Sequence, residues 1–256
     1  MRYLFIIWFF LLSFIGISQD RSIILNDNGN VILSGAINLY VNQSNPNGIV
    51  KTGFGIGGIL MDDERARLFW KVGTTVNTYN IPIKTTEGEQ IPIIINKASA
   101  GTLSSNGEFV ISTYHTPSNN TPYPMNSDTW FSDVTNTNGS TGLDNSINAA
   151  DRFWVIIFNG YSTKPTIVLT LSYDATGVVT DIGGLTENNL QAQYWDGTKW
   201  VCPPVGTVDV VNHNVNTINN VNFDAPWVVV NKNDHLPITL IRFKANCHNG
   251  KTTLIW

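Results

Sequence analysis

Six consecutive apolar residues, Phe153 to Phe158, constrain this chain more than any other feature. An extended run of that length turns side chains to both faces of a sheet, so both faces need cover. Nine residues on, Ile167 to Tyr173 alternates instead. Ile167, Leu169, Leu171 and Tyr173 share one face, and Val168, Thr170 and Ser172 share the other. Pro165 stands where a strand can begin without losing a ladder bond. The residues Asn159 to Lys164 are too few for a parallel crossover, so the expectation is two core strands paired antiparallel.

The rest of the chain repeats this rhythm. Short runs at 22–25, 31–41, 68–72, 76–83, 91–95, 108–114, 190–201, 207–211, 215–218 and 226–230 read as strands separated by turn residues. Pro82 and Pro92 place their strands at edges or at strand starts. Only the acidic stretch near Asp62 could open a helix. The expected fold is all-β: an antiparallel β-sandwich, Ig-like or jelly-roll-like, as one large or two abutting domains.

Charged residues make up 13% of the chain, so its polar surface comes from Asn, Thr, Ser and Gln, as suits an extracellular β-protein. The formal net charge of −4 gives no footprint for nucleic acid or anionic membrane. Met1 to Ser18 reads as a signal peptide. Arg2 supplies the positive region, Leu4 to Leu12 is apolar, and Gly16 and Ser18 are the small residues before cleavage at Gln19. The apolar run is shorter than the roughly 20 residues of a membrane-spanning helix, and no later stretch could span. The expected domains are therefore the signal over 1–18, the sandwich over 19–235, with a subdivision near 145–150 left open, and a final hairpin over 236–256. Cys202 and Cys247 could form a disulfide in an oxidising compartment or remain two thiols; both readings stay open.

Several stretches invite chemistry. Gly53 to Gly58 matches G-x-G-x-x-G, but no βαβ alternation follows, so it reads as a glycine-rich turn. Asp128, Asp133 and Asp144 lie in the long 116–148 loop, without the ligand ladder of a calcium loop. That loop is read as a surface excursion. Asp62, Asp63 and Glu64 read as a solvated turn rather than a glycosidase pair, and His115 reads as a loop residue rather than a base. No H-E-x-x-H, C-x-x-C or G-x-S-x-G occurs. Asp196-Gly197 predicts a two-residue hairpin turn that sets Trp195 opposite Thr198 and Gln193 opposite Trp200. Trp195 and Trp200 would then lie diagonally on a polar face, either as a sugar-stacking platform or as a cross-strand pair fixing the register. No catalytic, cofactor-binding or metal-binding residue is assigned, and no cofactor is expected.

Four stretches carry a resemblance: D-R-F-W-V-I-I-F-N-G-Y-S-T-K-P-T-I-V-L-T-L-S-Y, I-S-T-Y-H-T-P-S-N-N-T-P-Y-P, L-Q-A-Q-Y-W-D-G-T-K-W, and the ending L-P-I-T-L-I-R-F-K-A-N-C-H-N-G-K-T-T-L-I-W. They resemble segments of large secreted proteins of Bacteroidetes. The ending is similar to the start of a β module that commonly precedes a C-terminal type IX secretion sorting domain. The resemblance implies export and then surface display or release; it carries no catalytic residues. The sequence stops at Trp256, before the rest of that module, so a truncated gene or fragment is expected. The expected function is a non-catalytic secreted or cell-surface module for adhesion or display, with surface glycans or other extracellular proteins as candidate partners. The alternatives are a carbohydrate-binding module using Trp195 and Trp200, or a glycoside-hydrolase-like enzyme with its site in the 116–148 loop.

Overall fold

The computed structural model describes residues 21–120, 134, 144–197, 199–201, 205–217, 224–232, 244–248 and 251–255. The expected signal peptide, Asp128, Asp133 and Cys202 lie outside them. Among the described residues the regular structure is all strand and short 3-10 turns, with no α-helix. The stretch after Asp62, a candidate helix start, is a turn closed by the Ala66 amide donating to the Asp63 carbonyl.

The chain begins with a duplication that has no exact counterpart in sequence. Strands β1 (Ile23–Asn26), β2 (Asn30–Leu33) and β3 (Asn38–Val41) are followed by β4 (Ile49–Thr52), β5 (Gly58–Met61) and β6 (Arg67–Lys71). Each strand of the first set lies parallel to its counterpart in the second. Ile23 faces Ile49, Asn30 faces Gly58 and Asn38 faces Arg67, so the offset grows only from 26 to 29 residues. The two segments are stacked coils. This corrects the antiparallel expectation: a parallel pair needs a long return path, and the intervening strands of the coil supply it. It also divides the expected 31–41 strand, which breaks at Gly35 with φ 63°. The G-x-G-x-x-G stretch holds the coils together. Gly57 donates to the Asp27 carbonyl at 2.7 Å and Gly58 to that of Gly29 at 3.1 Å. A Cβ on Gly57 would meet both the Asp27 and Gly29 carbonyl oxygens at 2.5 Å, so glycine is required by close backbone approach, not by a phosphate.

The remaining strands build two sheets. They are β7 (Thr78–Ile81), β8 (Ile93–Lys97), β9 (Thr102–His115), β10 (Ala149–Thr163), β11 (Ile167–Ser172), β12 (Leu190–Trp195), β13 (Trp200–Val201), β14 (Val205–Asp209), β15 (Asn214–Thr217) and β16 (Ala225–Asn231). The seven-stranded sheet has the order β13-β12-β16-β10-β9-β6-β3, and the five-stranded sheet β14-β15-β11-β8-β7. The two strands read as the central pair are therefore not partners. The chain leaves β10 at Thr163 and enters β11 at Ile167 in the other sheet, so its short connection joins two sheets rather than closing a hairpin. Pro82 follows edge strand β7 and Pro92 precedes β8, positions that cost no central ladder bond.

The apolar run in β10 is covered on both faces. Trp154, Ile156 and Phe158 join the main hydrophobic cluster with Ile93 and Ile95 of β8 and Leu169 and Leu171 of β11. Phe153 belongs instead to a second cluster with Tyr114, Val134, Trp200 and Val228. Strands β17 (Lys244–His248) and β18 (Lys251–Ile255) form the expected antiparallel hairpin, in which Cys247 pairs with Thr252.

Candidate functional site

The candidate site forms where β9 ends and β10 begins. His115 and Arg152 are cross-strand partners. Both reach Asp181, whose carboxylate is 1% exposed. Arg152 Nε donates to Asp181 Oδ2 at 2.7 Å, and His115 Nδ1 lies 3.0 Å from Asp181 Oδ1. The Asp174 amide adds a third bond to Oδ2 at 2.7 Å. In return, the Asp181 amide donates to the Asp174 carbonyl at 2.8 Å, so the 174–181 loop closes on itself. Asp174 Oδ1 also takes the amides of Thr176 and Gly177, an Asx-type turn.

Burial alone would raise the Asp181 carboxyl, but the Arg152 charge and the bonds from His115, Arg152 and the Asp174 amide hold it below the usual carboxylate range. An ionised carboxylate only accepts, so His115 Nδ1 carries the proton that faces it. The other ring nitrogen is left for solvent or a ligand. Asp151 next door is pushed up, first by burial and also by the charge of Asp181, with His115 opposing.

In front of this tie is a cavity of ≈ 180 Å³, lined by His115, Arg152, Lys84, Asp62 and Glu87 among others. Lys84 is only 8% exposed. Among the described residues its ammonium makes no hydrogen bond and no ion pair. Lys97 shows how this fold treats a lysine meant to be sealed. Its ammonium donates to the carbonyls of Gly73, Thr75 and Ala100 at 2.9–3.1 Å and lies 5.7 Å from the Tyr161 ring centre. Burial lowers Lys97 to about 8. Lys97 is satisfied by the protein itself, whereas the Lys84 ammonium keeps contact with solvent at the cavity.

The sequence readings fare unevenly here. His115 is the last residue of β9 and is fixed by Asp181, not a free loop residue. The acidic run is not a solvated turn. Asp63 and Glu64 are buried; Arg65 bonds Asp63 at 2.8 Å, and Arg67 approaches Glu64 at 3.9 Å. Only Asp62 stays exposed, at the cavity. Asp144 accepts from the amide and hydroxyl of Ser146 and caps a short turn. Among the described residues no three His, Cys, Asp or Glu side chains gather as a metal site.

The tryptophan platform is corrected. Trp195 pairs directly with Trp200, and Tyr194 with Val201, so the loop between the strands holds four residues, not two. The Asp196 side chain accepts from the Lys199 amide at 2.9 Å, and the Asp196 amide donates to the Lys199 carbonyl at 3.0 Å. Trp200 is fully buried, stacked on Phe153 with ring centres 5.9 Å apart and planes 5° apart. Trp195 meets it edge-on at 5.5 Å. This is the cross-strand aromatic pair, with its flat face spent on the core.

No sequence pattern singles out Arg152, Asp181 or Lys84. The available signal was Arg152 opening an apolar run in a chain poor in charge; nothing local marks Asp181 or Lys84.

No family model, curated protein or solved structure matches the chain. No helix among the described residues is long and apolar enough to cross a membrane.

Proposed function

We propose that this is a secreted, non-catalytic β-sandwich module that displays a small polar cavity outside the cell, for adhesion or for presentation of neighbouring domains, in a Bacteroidetes-type secreted protein. The supporting observation is the shared core. One hydrophobic cluster draws Trp70, Phe109, Ile111, Trp154 and Trp227 from the seven-stranded sheet and Ile81, Ile93, Leu169 and Val215 from the five-stranded one. Two sheets with a common apolar interior form a rigid frame, and such frames carry recognition in the segments at their ends. The apolar leader and the Asn- and Thr-rich surface support export.

Among the described residues His115 hydrogen-bonds to Asp181 alone. Binding is the first reading, with hydrolysis its alternative. Within binding, carbohydrate is the second reading, with its seat moved from the tryptophan pair, whose Trp200 is buried, to the cavity.

Export is tested by expressing the tagged chain in a Bacteroidetes host, fractionating the cells and sequencing the N-terminus of the product. A chain starting at Gln19, in the medium or open to protease on intact cells, is expected. A chain retaining Met1 in the cytoplasm overturns the proposal.

A further inference from the structure

We propose that the open end of the N-terminal coils pairs with the same end of a second copy of this chain, giving a two-fold dimer. Among the described residues β1, β2 and β3 each have a strand on one edge only: β4, β5 and β6. The other edge of each presents a row of amides and carbonyls with no strand beside it. The apolar interior also runs out at this end. Ile23, Val31 and Leu39 pack on the core but are only half-buried, whereas their register partners Ile49, Ile59 and Leu68 are sealed at 3% exposure or less. In the outward column Ile24, Ile32 and Tyr40 are 50–63% exposed, while Val50, Leu60 and Phe69 opposite them are half-buried. A stack of coils needs a polar cap at such an end to stay soluble alone. The described first coil ends in apolar side chains instead.

The occupant follows from what this edge lacks and what the far edge already holds. Strands β1 to β3 contain no charged residue and no proline, and their registers run without a bulge, so none of the usual guards against edge pairing is present. The single charged side chain between Ser22 and Gly48 is Asp27. Its carboxylate lies against the second coil, where a Cβ on Gly53 would collide with it. Two copies therefore meet with no like charges opposed. The far edge of the stack cannot receive the open one, because β6 is paired with β9 and β5 is bridged to Ile83. That blocks a head-to-tail filament and leaves the open edge to match itself, the isologous arrangement of a closed dimer. A two-fold axis runs the strands antiparallel across the interface. Asn30 and Asn38, exposed at strand starts, bring amides that both donate and accept. On the export reading the chain's own leader does not fill the place: only Gln19 and Asp20 precede Arg21, against the 26 to 29 residues of one coil. The inference rests on that reading for this count alone.

The test is sedimentation velocity on the purified chain over a concentration series up to about 100 μM, since the dimer fraction follows protomer concentration. A reversible monomer–dimer equilibrium is expected, with no larger species. Ile32→Lys and Asn30→Lys, both at exposed positions, are each expected to weaken association at least tenfold with the far-ultraviolet circular dichroism unchanged, because an edge lysine opposes strand pairing. Val211→Lys, at an 82% exposed apolar site in the turn between β14 and β15, is expected to leave the dimer constant unchanged. Hydrogen exchange needs no variant: amides of β1 to β3 are expected to gain protection as the dimer forms. A monomer throughout the series, an open-ended ladder of larger species, a dimer that Ile32→Lys and Asn30→Lys leave intact, equal weakening by Val211→Lys, or protection gained only in other strands each overturns the proposal. Association is read on purified protein from whichever compartment holds it, so its failure is distinct from failure of export.

Discussion

At the scale of single residues, the chain holds its charges in place with few partners. Asp181 is the clearest case: one buried carboxylate fixes a guanidinium, an imidazole and a loop amide. Removing one partner of a buried pair leaves the other uncompensated, at a cost of about 3–5 kcal/mol. Arg152→Ala should lose stability on that scale in urea unfolding, and Asp181→Asn somewhat less, since it leaves a neutral acceptor. The pH dependence follows from the direction of the shift. The folded carboxyl lies below its unfolded value of about 3.9, so its contribution is fully present above that pH. It is lost as the pH falls through the lower folded value. The parent should lose stability progressively on acidification below about pH 4, and Asp181→Asn should show a flatter acid limb. Matching acid limbs would refute the assignment. This network was not legible in the sequence, because 66 residues separate His115 from Asp181 and no local pattern links them.

At the scale of elements, local rules located strands well and partners poorly. Strands β11, β12, β15 and β16 begin and end within a few residues of where alternation and turn residues place them. Their pairing was less legible, since periodicity reports which face a side chain takes, not which strand lies beside it. The β10–β11 connection crosses between sheets for that reason. So does the N-terminal duplication, whose register is carried by backbone bonds and glycines rather than by repeated side chains. That dependence is testable. Gly57→Ala would drive a methyl against two carbonyl oxygens, and overpacking of this kind costs about 1–3 kcal/mol. Urea unfolding should register that loss, whereas Gly184→Ala, with open space around it, should be close to neutral. The β12–β13 hairpin makes a parallel case. The Asp-Gly turn signal gave the correct hairpin but the wrong register, because the Asp196 side chain closes a four-residue loop. Trp200→Ala should therefore behave as a core deletion, costing about 3–5 kcal/mol.

At the scale of the whole molecule, the question is whether the sheets unfold together. The main cluster includes Leu25 of the first coil, Phe109, Trp154 and Val229 of the seven-stranded sheet, and Leu169 of the five-stranded sheet. Residues distant in sequence thus share one apolar interior, and neither sheet could keep its buried face dry alone. Strand β10, which begins at the 145–150 stretch where the sequence leaves a domain boundary open, contributes Ala150 and Trp154 to that same cluster. Folding in which contacts join such separated residues is slow, on the order of milliseconds to seconds. It also couples the sheets, because exposing one exposes the other. Trp70, Trp154 and Trp227 report on the main cluster, while Trp200 reports on the smaller cluster behind Phe153. In urea, tryptophan fluorescence and far-ultraviolet circular dichroism should trace one coincident transition. Two separated transitions would mean that the sheets belong to independent units, and the sandwich proposal would then fail even if every strand assignment stood.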